Sequence, residues 1–196
     1  MEHHLALQHG STTLRPLSPA DATGFRAIVD EQSWAGMGVP LPATDAAMAV
    51  HLRDLVDAPA TLAFAVEHDG GLVGRTCFYD LVDGLKVEIG NTIYARHVWG
   101  SAVNPAAKLL LLEHAFEVFG VGRVALRCDH RNTRSHRAIE RLGAHFEGTL
   151  RHFRPAADGT VADVDYFSIL RDEWPRVRSG LEARLGPEPE LCPARR

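Results

Sequence analysis

The sequence predicts an α/β (α+β) chain, with antiparallel strands in its first half and strands alternating with helices in its second. Three observations carry this. Short segments show apolar residues alternating with period two. Turn signals at Asp69-Gly70-Gly71 and Asp83-Gly84 separate the early ones. Later, two strands each run into a helix start.

Residues 11–17 (STTLRPL) read as the first strand. Ser18 then caps a helix, with Pro19 at the first helical position and Asp21 at the third. Phe25, Ile28 and Val29 give that helix its apolar face. Residues 32–42 (QSWAGMGVPLP) read as a Gly/Pro loop. Thr44 caps a second helix in which Met48, Leu52 and Leu55 share a face. Leu62, Phe64 and Val66 alternate with smaller or polar neighbours as a strand. Residues 72–79 return as its hairpin partner, and 86–94 form a third strand. A helix runs from Asn104 to about Phe119, with Asn104 as N-cap and Pro105 just inside it. The strand 123–129 leads to a second helix over 135–142, ended by Gly143. Two strands, 146–153 and 162–170, and a last helix carrying Trp174, Val177, Leu181 and Leu185 complete the reading.

At 196 residues the chain suits one domain, residues 1–186, followed by a Pro-rich tail, 187–196, that reads as disordered. Apolar residues make up 45% and charged ones 23%, and the net charge is −4, so nothing global points to nucleic acid or an anionic membrane. No apolar run approaches a membrane span, and the N-terminus lacks a secretory pattern. Cys77, Cys128 and Cys192 are far apart, as suits a reducing cytoplasm, and form no metal-type spacing. The eleven histidines are scattered without an HExxH or HxH pattern. The expectation is therefore no metal.

Two stretches carry candidate chemistry. In WGSAVNPAAK, small residues precede a helix start, and exposed amides at the positive end of the helix dipole would hold a phosphate. Lys108, one turn in, would add a full charge. In DHRNTRSHRAIER, four arginines (Arg131, Arg134, Arg137 and Arg141) gather with Asn132 and Ser135 at another helix start. This suits a phosphorylated cofactor, although such charge runs also occur as solvated helix faces.

The pattern EIGNTIY…WGSAVNPAAKLLLLEHAFEVFGVGRVALRCDHRNTRSHRAIERLGAHFEGTLRHF…DG…DVDYFSIL…EWP resembles the RimJ/RimL-type branch of the GNAT N-acetyltransferases. The likeness covers nearly the whole chain, and Asn132–Gly148 carries its most specific part. It implies a mixed, mostly antiparallel sheet flanked by helices. It also implies transfer of acetyl from acetyl-CoA to an amine by direct attack in a ternary complex. The family's pyrophosphate loop usually reads Arg/Gln-x-x-Gly-x-Gly/Ala, whereas Trp99, Ala102 and Asn104 stand at those places here. Loop length is kept, so the amides of Gly100, Ser101, Ala102, Val103 and Asn104 are implied phosphate donors.

The resemblance places Glu88 on the strand that carries a catalytic carboxylate, and an amide near Ile93 or Tyr94 against the developing oxyanion. Ser135 matches the serine that bonds the cofactor or protonates the leaving thiolate. The acceptor pocket is expected between the loop joining the first two helices and the 153–162 hairpin, lined by Trp34, Phe78, Tyr79 and Tyr166. The acceptor is a protein N-terminus or a small amine. Alternatives are a donor such as succinyl-CoA, or a non-catalytic acyl-CoA sensor. Family members are often homodimers.

Overall fold

The structure, a computed structural model, describes residues 3–186. The predicted tail and Cys192 lie outside the described residues. Eight strands form one sheet: β1 (Leu7–His9), β2 (Thr12–Pro16), β3 (Leu62–His68), β4 (Gly71–Val82), β5 (Lys86–Tyr94), β6 (Arg123–Asp129), β7 (His145–Pro155) and β8 (Val161–Leu170). Their order is β1-β2-β3-β4-β5-β6-β8-β7. Each neighbouring pair is antiparallel except β5 and β6. The helices are α1 (Ala22–Ile28), α2 (Glu31–Trp34), α3 (Asp45–Asp57), α4 (Val103–Glu113), α5 (Thr133–Glu140) and α6 (Trp174–Leu185).

Most elements follow the sequence pattern. Ser18 makes the expected capping box with Asp21, and the Thr44 hydroxyl accepts from the amide of Ala47. Three readings are corrected. The 32–42 loop begins with the single turn α2, closed by a box between Asp30 and Ser33. The strand at 11–17 is the second arm of a hairpin whose first arm, β1, has only three residues. Asn104 is not the N-cap of its helix. α4 starts at Val103, and the Ser101 hydroxyl accepts the Val103 amide at 3.2 Å. The predicted end of that helix is a wider π turn, His114–Val118.

Alternation along β3 feeds two cores. Phe64 and Val66 point to the side covered by α4 and α6, with Leu111, Leu112 and Phe116. Ala63 and Ala65 point to the side covered by α1–α3, with Phe25, Trp34, Met48 and Leu52. Phe78 belongs to the first core. It is fully buried, with the Phe119 ring 5.3 Å away, so the expectation that it lines the acceptor pocket is corrected.

β5 is the strand that shapes the site. Cys77 faces Gly90 and Arg75 faces Ile93, so Asn91 and Thr92 together oppose Thr76 in a bulge, with Asn91 at φ 50°. On its other edge β5 meets β6 only through Lys86–Glu88 against Arg123–Ala125. Beyond Glu88 the two strands part.

Gly74 holds this region tight. A Cβ there would lie 2.3 Å from the Ile93 carbonyl oxygen and 2.6 Å from the Tyr94 ring. Gly74→Ala is expected to cost about 3 kcal/mol. Thermal denaturation should show a fall in Tm of roughly 6–12 °C.

Candidate active site

A cavity of about 380 Å³ occupies the gap where β5 and β6 separate. Three walls enclose it, and most sequence-predicted residues stand on them.

The first wall is the end of β5 with the turn before α4. Ile93, Tyr94, Trp99, Gly100 and Asn104 all line the cavity. The Trp99 indole donates to the Tyr94 carbonyl at 2.9 Å, which fixes the ring. Gly100 takes φ 78°, a conformation that favours glycine. Within the turn some amides are already engaged: Ser101 donates to Val98 and Val103 to the Ser101 hydroxyl. Ala102 is exposed, and the Val103 side chain is buried in the core. Lys108 also departs from expectation. It is 5% exposed, lines the cavity from behind the bulge, and donates to the Thr92 hydroxyl at 3.3 Å. Burial holds its pKa down at about 8. It is an interior amine rather than a surface phosphate clamp.

The second wall is β6 with the start of α5. Asn132, Arg134 and Ser135 line the cavity. The Asn132 side chain caps α5 by accepting from the Ser135 amide at 3.0 Å. The Arg134 guanidinium lies 3.4 Å over the Trp99 ring, so the two predicted helix starts touch through a cation–π contact. Arg137 and Arg141 are exposed and do not line the cavity, which corrects their place among the cofactor contacts.

The third wall is the loop after α2, which the β7–β8 hairpin holds in place as the sequence suggested. Arg154 donates to the Gly36 carbonyl at 2.8 Å, and the Ala157 amide donates to the Met37 carbonyl at 3.0 Å. Trp34 lies beneath this loop, 1% exposed, and borders a neighbouring cavity instead. Its indole donates to the Val39 carbonyl at 2.8 Å.

Tyr79 faces the cavity, and its hydroxyl donates to Glu88. Glu88 itself is buried and pairs with Arg127 at 2.8 Å. Burial raises the Glu88 pKa, against the Tyr79 hydrogen bond and the Arg127 charge, which lower it. Burial together with the Glu88 charge holds Tyr79 well above the usual phenol range, so the hydroxyl keeps its proton. Arg127 also donates to the Tyr166 hydroxyl at 2.7 Å, which places Tyr166 behind the cavity wall. Sequence reasoning missed Arg127, Arg154 and Met37. Arg127 was legible only as the odd charge in the alternating strand RVALRCD.

Beneath the third wall sits Arg75, fully buried. Its Nη2 donates to the His51 ring at 3.1 Å. Burial first, and then the Arg75 charge, press the His51 pKa down to about 4 from 6.5. The folded state thus refuses a proton that the unfolded chain accepts. This stability is fully present above pH 6.5 and is lost as pH falls toward 4. A Tm-versus-pH series should show the loss over that window, and His51→Gln should flatten it.

The model of the "Acetyltransferase (GNAT) domain" family matches residues 12–145. The chain belongs to the GNAT family. A Thermus-type relative, the T. thermophilus structure described as a "putative acetyltransferase", is 35% identical to this GNAT chain, with a TM-score of 0.88 over 95% of this chain and 100% of that one. A GCN5-related N-acetyltransferase from Brucella melitensis is 26% identical, with a TM-score of 0.86 over 95% and 88% of the two chains. The Bacillus subtilis (strain 168) protein named "Putative ribosomal N-acetyltransferase YdaF" is 33% identical over 108 residues, which span 55% of this chain and 58% of that protein. The chain matches a little over half the length of such curated relatives. No helix among the described residues is long and apolar enough to cross a membrane.

Proposed function

We propose that this chain transfers the acetyl group of acetyl-CoA to a primary amine, either a protein N-terminus or a small molecule, by direct attack in a ternary complex. The observation that carries this is the parting of β5 and β6 after Glu88, with both helix starts and Tyr79 facing the gap. Asn132, Arg134 and Ser135 bind the cofactor from one side, and the turn at Gly100–Asn104 binds it from the other. The family membership and two free, buried cysteines, Cys77 and Cys128, support a reducing, cytoplasmic setting.

The backbone selects the oxyanion donor. The Ala95 amide donates to Val73 on the β4 side. Successive amides of a strand point to opposite edges, so the Tyr94 amide faces the gap. It is placed to receive the thioester oxygen as negative charge develops there. The amine nitrogen attacks the thioester carbon, and its proton passes through the Tyr79 hydroxyl to Glu88. The C–S bond then breaks, with the Ser135 hydroxyl bonded to the departing sulfur. Orientation in the gap supplies much of the rate.

The test is thiol release from acetyl-CoA with a panel of amines, together with binding of CoA to Asn132→Ala. Amine-dependent release and weakened CoA binding by the variant are expected. Tight binding of acetyl-CoA without release above background would favour the sensor reading instead.

One observation favours a second reading, a substrate bearing a carboxylate, as in a succinyl-CoA donor. Arg75 is buried without a carboxylate partner, and its Nε and Nη1 have no hydrogen-bond acceptor among the described residues. Met37, a cavity-lining side chain, lies 3.7 Å from it. A kcat/KM for succinyl-CoA above that for acetyl-CoA, lost in Arg75→Met, would establish this reading.

A further inference from the structure

A thiol, two imidazoles and a carboxylate converge behind the first turn of α5, outside the chemistry proposed above. Cys128 on β6 and Asp165 on β8 are directly opposed in the sheet. His136 on α5 reaches down to them. Donor atoms of these three side chains all lie within 4.8 Å of one another. His136 Nδ1 is 2.8 Å from Asp165 Oδ2, and His130 Nδ1 is 2.9 Å from Asp165 Oδ1. Asp165 is fully buried and Cys128 nearly so, whereas His130 opens to solvent and leaves an entry path. The expectation of no metal rested on local spacing. These residues come from separate elements, and only the fold brings them together.

We propose that Cys128, His136 and Asp165, with His130 in the fourth position, bind one divalent cation of the zinc class. One sulfur, two imidazole nitrogens and one carboxylate oxygen form a tetrahedral donor set. That set suits a borderline-soft ion and is too small and too soft for magnesium or calcium. Thiolate and carboxylate together neutralise the dication. The outer partners a metal site needs are also present. The His136 Nε2 edge faces Glu140 at 3.4 Å, and the Thr149 hydroxyl donates to Asp165 at 2.6 Å. Such contacts fix a ligating imidazole and a ligating carboxylate in orientation.

Binding is proton–metal exchange without redox change. The Cys128 thiol proton and the two Nδ1 protons pass to solvent, and the metal–sulfur, metal–nitrogen and metal–oxygen bonds take their place. The cation would pin the first turn of α5 to β6 and β8. That turn carries Asn132, Arg134 and Ser135, so the metal steadies the cofactor wall from behind. The site is independent of the acyl-transfer reading.

The test uses the full chain, stripped with chelator and titrated with Co²⁺ and then Zn²⁺. Expected are one equivalent of cobalt with thiolate-to-cobalt charge-transfer absorption, its loss on adding one equivalent of zinc, and a higher Tm. Cys128→Ser, close to isosteric, should fold and lose the absorption. His136→Gln and Asp165→Asn should weaken affinity by about 10-fold or more. Cys192→Ser should leave it intact. Circular dichroism identifies a variant that fails to fold, in which case Cys128→Ser decides. Absence of stoichiometric uptake by the wild type overturns the site. So does binding of equal strength in Cys128→Ser and His136→Gln, which marks adventitious uptake by surface histidines.

Discussion

Glu88→Gln is expected to lower kcat by about 10²- to 10³-fold while leaving CoA affinity nearly unchanged. Glu88 lies at the last paired position before β5 leaves β6, so its carboxylate sits at the inner end of the gap. Burial raises its proton affinity toward that of a useful base, and Tyr79 connects it to the cavity. The sign of the pH effect follows. The base works only when ionised, so activity should rise with pH through a Glu88 pKa above the usual glutamate range. Glutamine should abolish that acidic limb. Tyr79→Phe should cause a loss of similar order, because it cuts the connection while leaving the Glu88–Arg127 pair in place. A kcat/KM profile of Glu88→Gln that keeps both the wild-type height and the acidic limb would remove Glu88 from the mechanism.

Trp34→Ala is expected to destabilise the fold by about 3–5 kcal/mol. The indole fills the second core against Phe25 and His51, with ring centroids at 6.4 and 5.2 Å. Arg75 lies 5.5 Å from its ring centre, so truncation also removes a cation–π partner from a buried charge. Val39 loses its indole donor at the same time. The loop that carries Gly36 and Met37 would then hang chiefly from Arg154 and Ala157. Chemical denaturation should show the loss of stability. The amine KM should rise more than the acetyl-CoA KM, because the loop borders the acceptor end. Equal rises in both would place Trp34 outside acceptor positioning.

Much of the fold was legible because its signals are local. Alternation marks β3 and β6, and Asn132 both caps α5 and lines the cavity, so one side chain announces helix and site together. β1 and α2 were not legible. Elements of three and four residues are too short to show a period, and tertiary contacts hold them. Asn104 misled because Asn-Pro commonly opens a helix, whereas Ser101 does the capping here. Charged residues read as surface, so nothing in the sequence placed Arg75 and Lys108 inside. Phe78 and Trp34 look alike as aromatics near strand or helix ends. Only packing shows that one fills a core and the other anchors a loop.

The seam between β5 and β6 has one more consequence. Three facing residue pairs join a five-stranded leaf, β1 to β5, to a three-stranded leaf, β6 to β8. Past that seam, the edge of one leaf turns backbone donors and acceptors toward the other across the gap, without strand pairing between them. A molecule seated there would act as keystone as well as reactant, closing the edges that the polypeptide leaves apart. Occupancy should therefore register in the mechanics of the whole sheet. Amide hydrogen exchange along Ile89–Tyr94 and Leu126–Asp129 should slow together when acetyl-CoA is added, as two leaves become one plate.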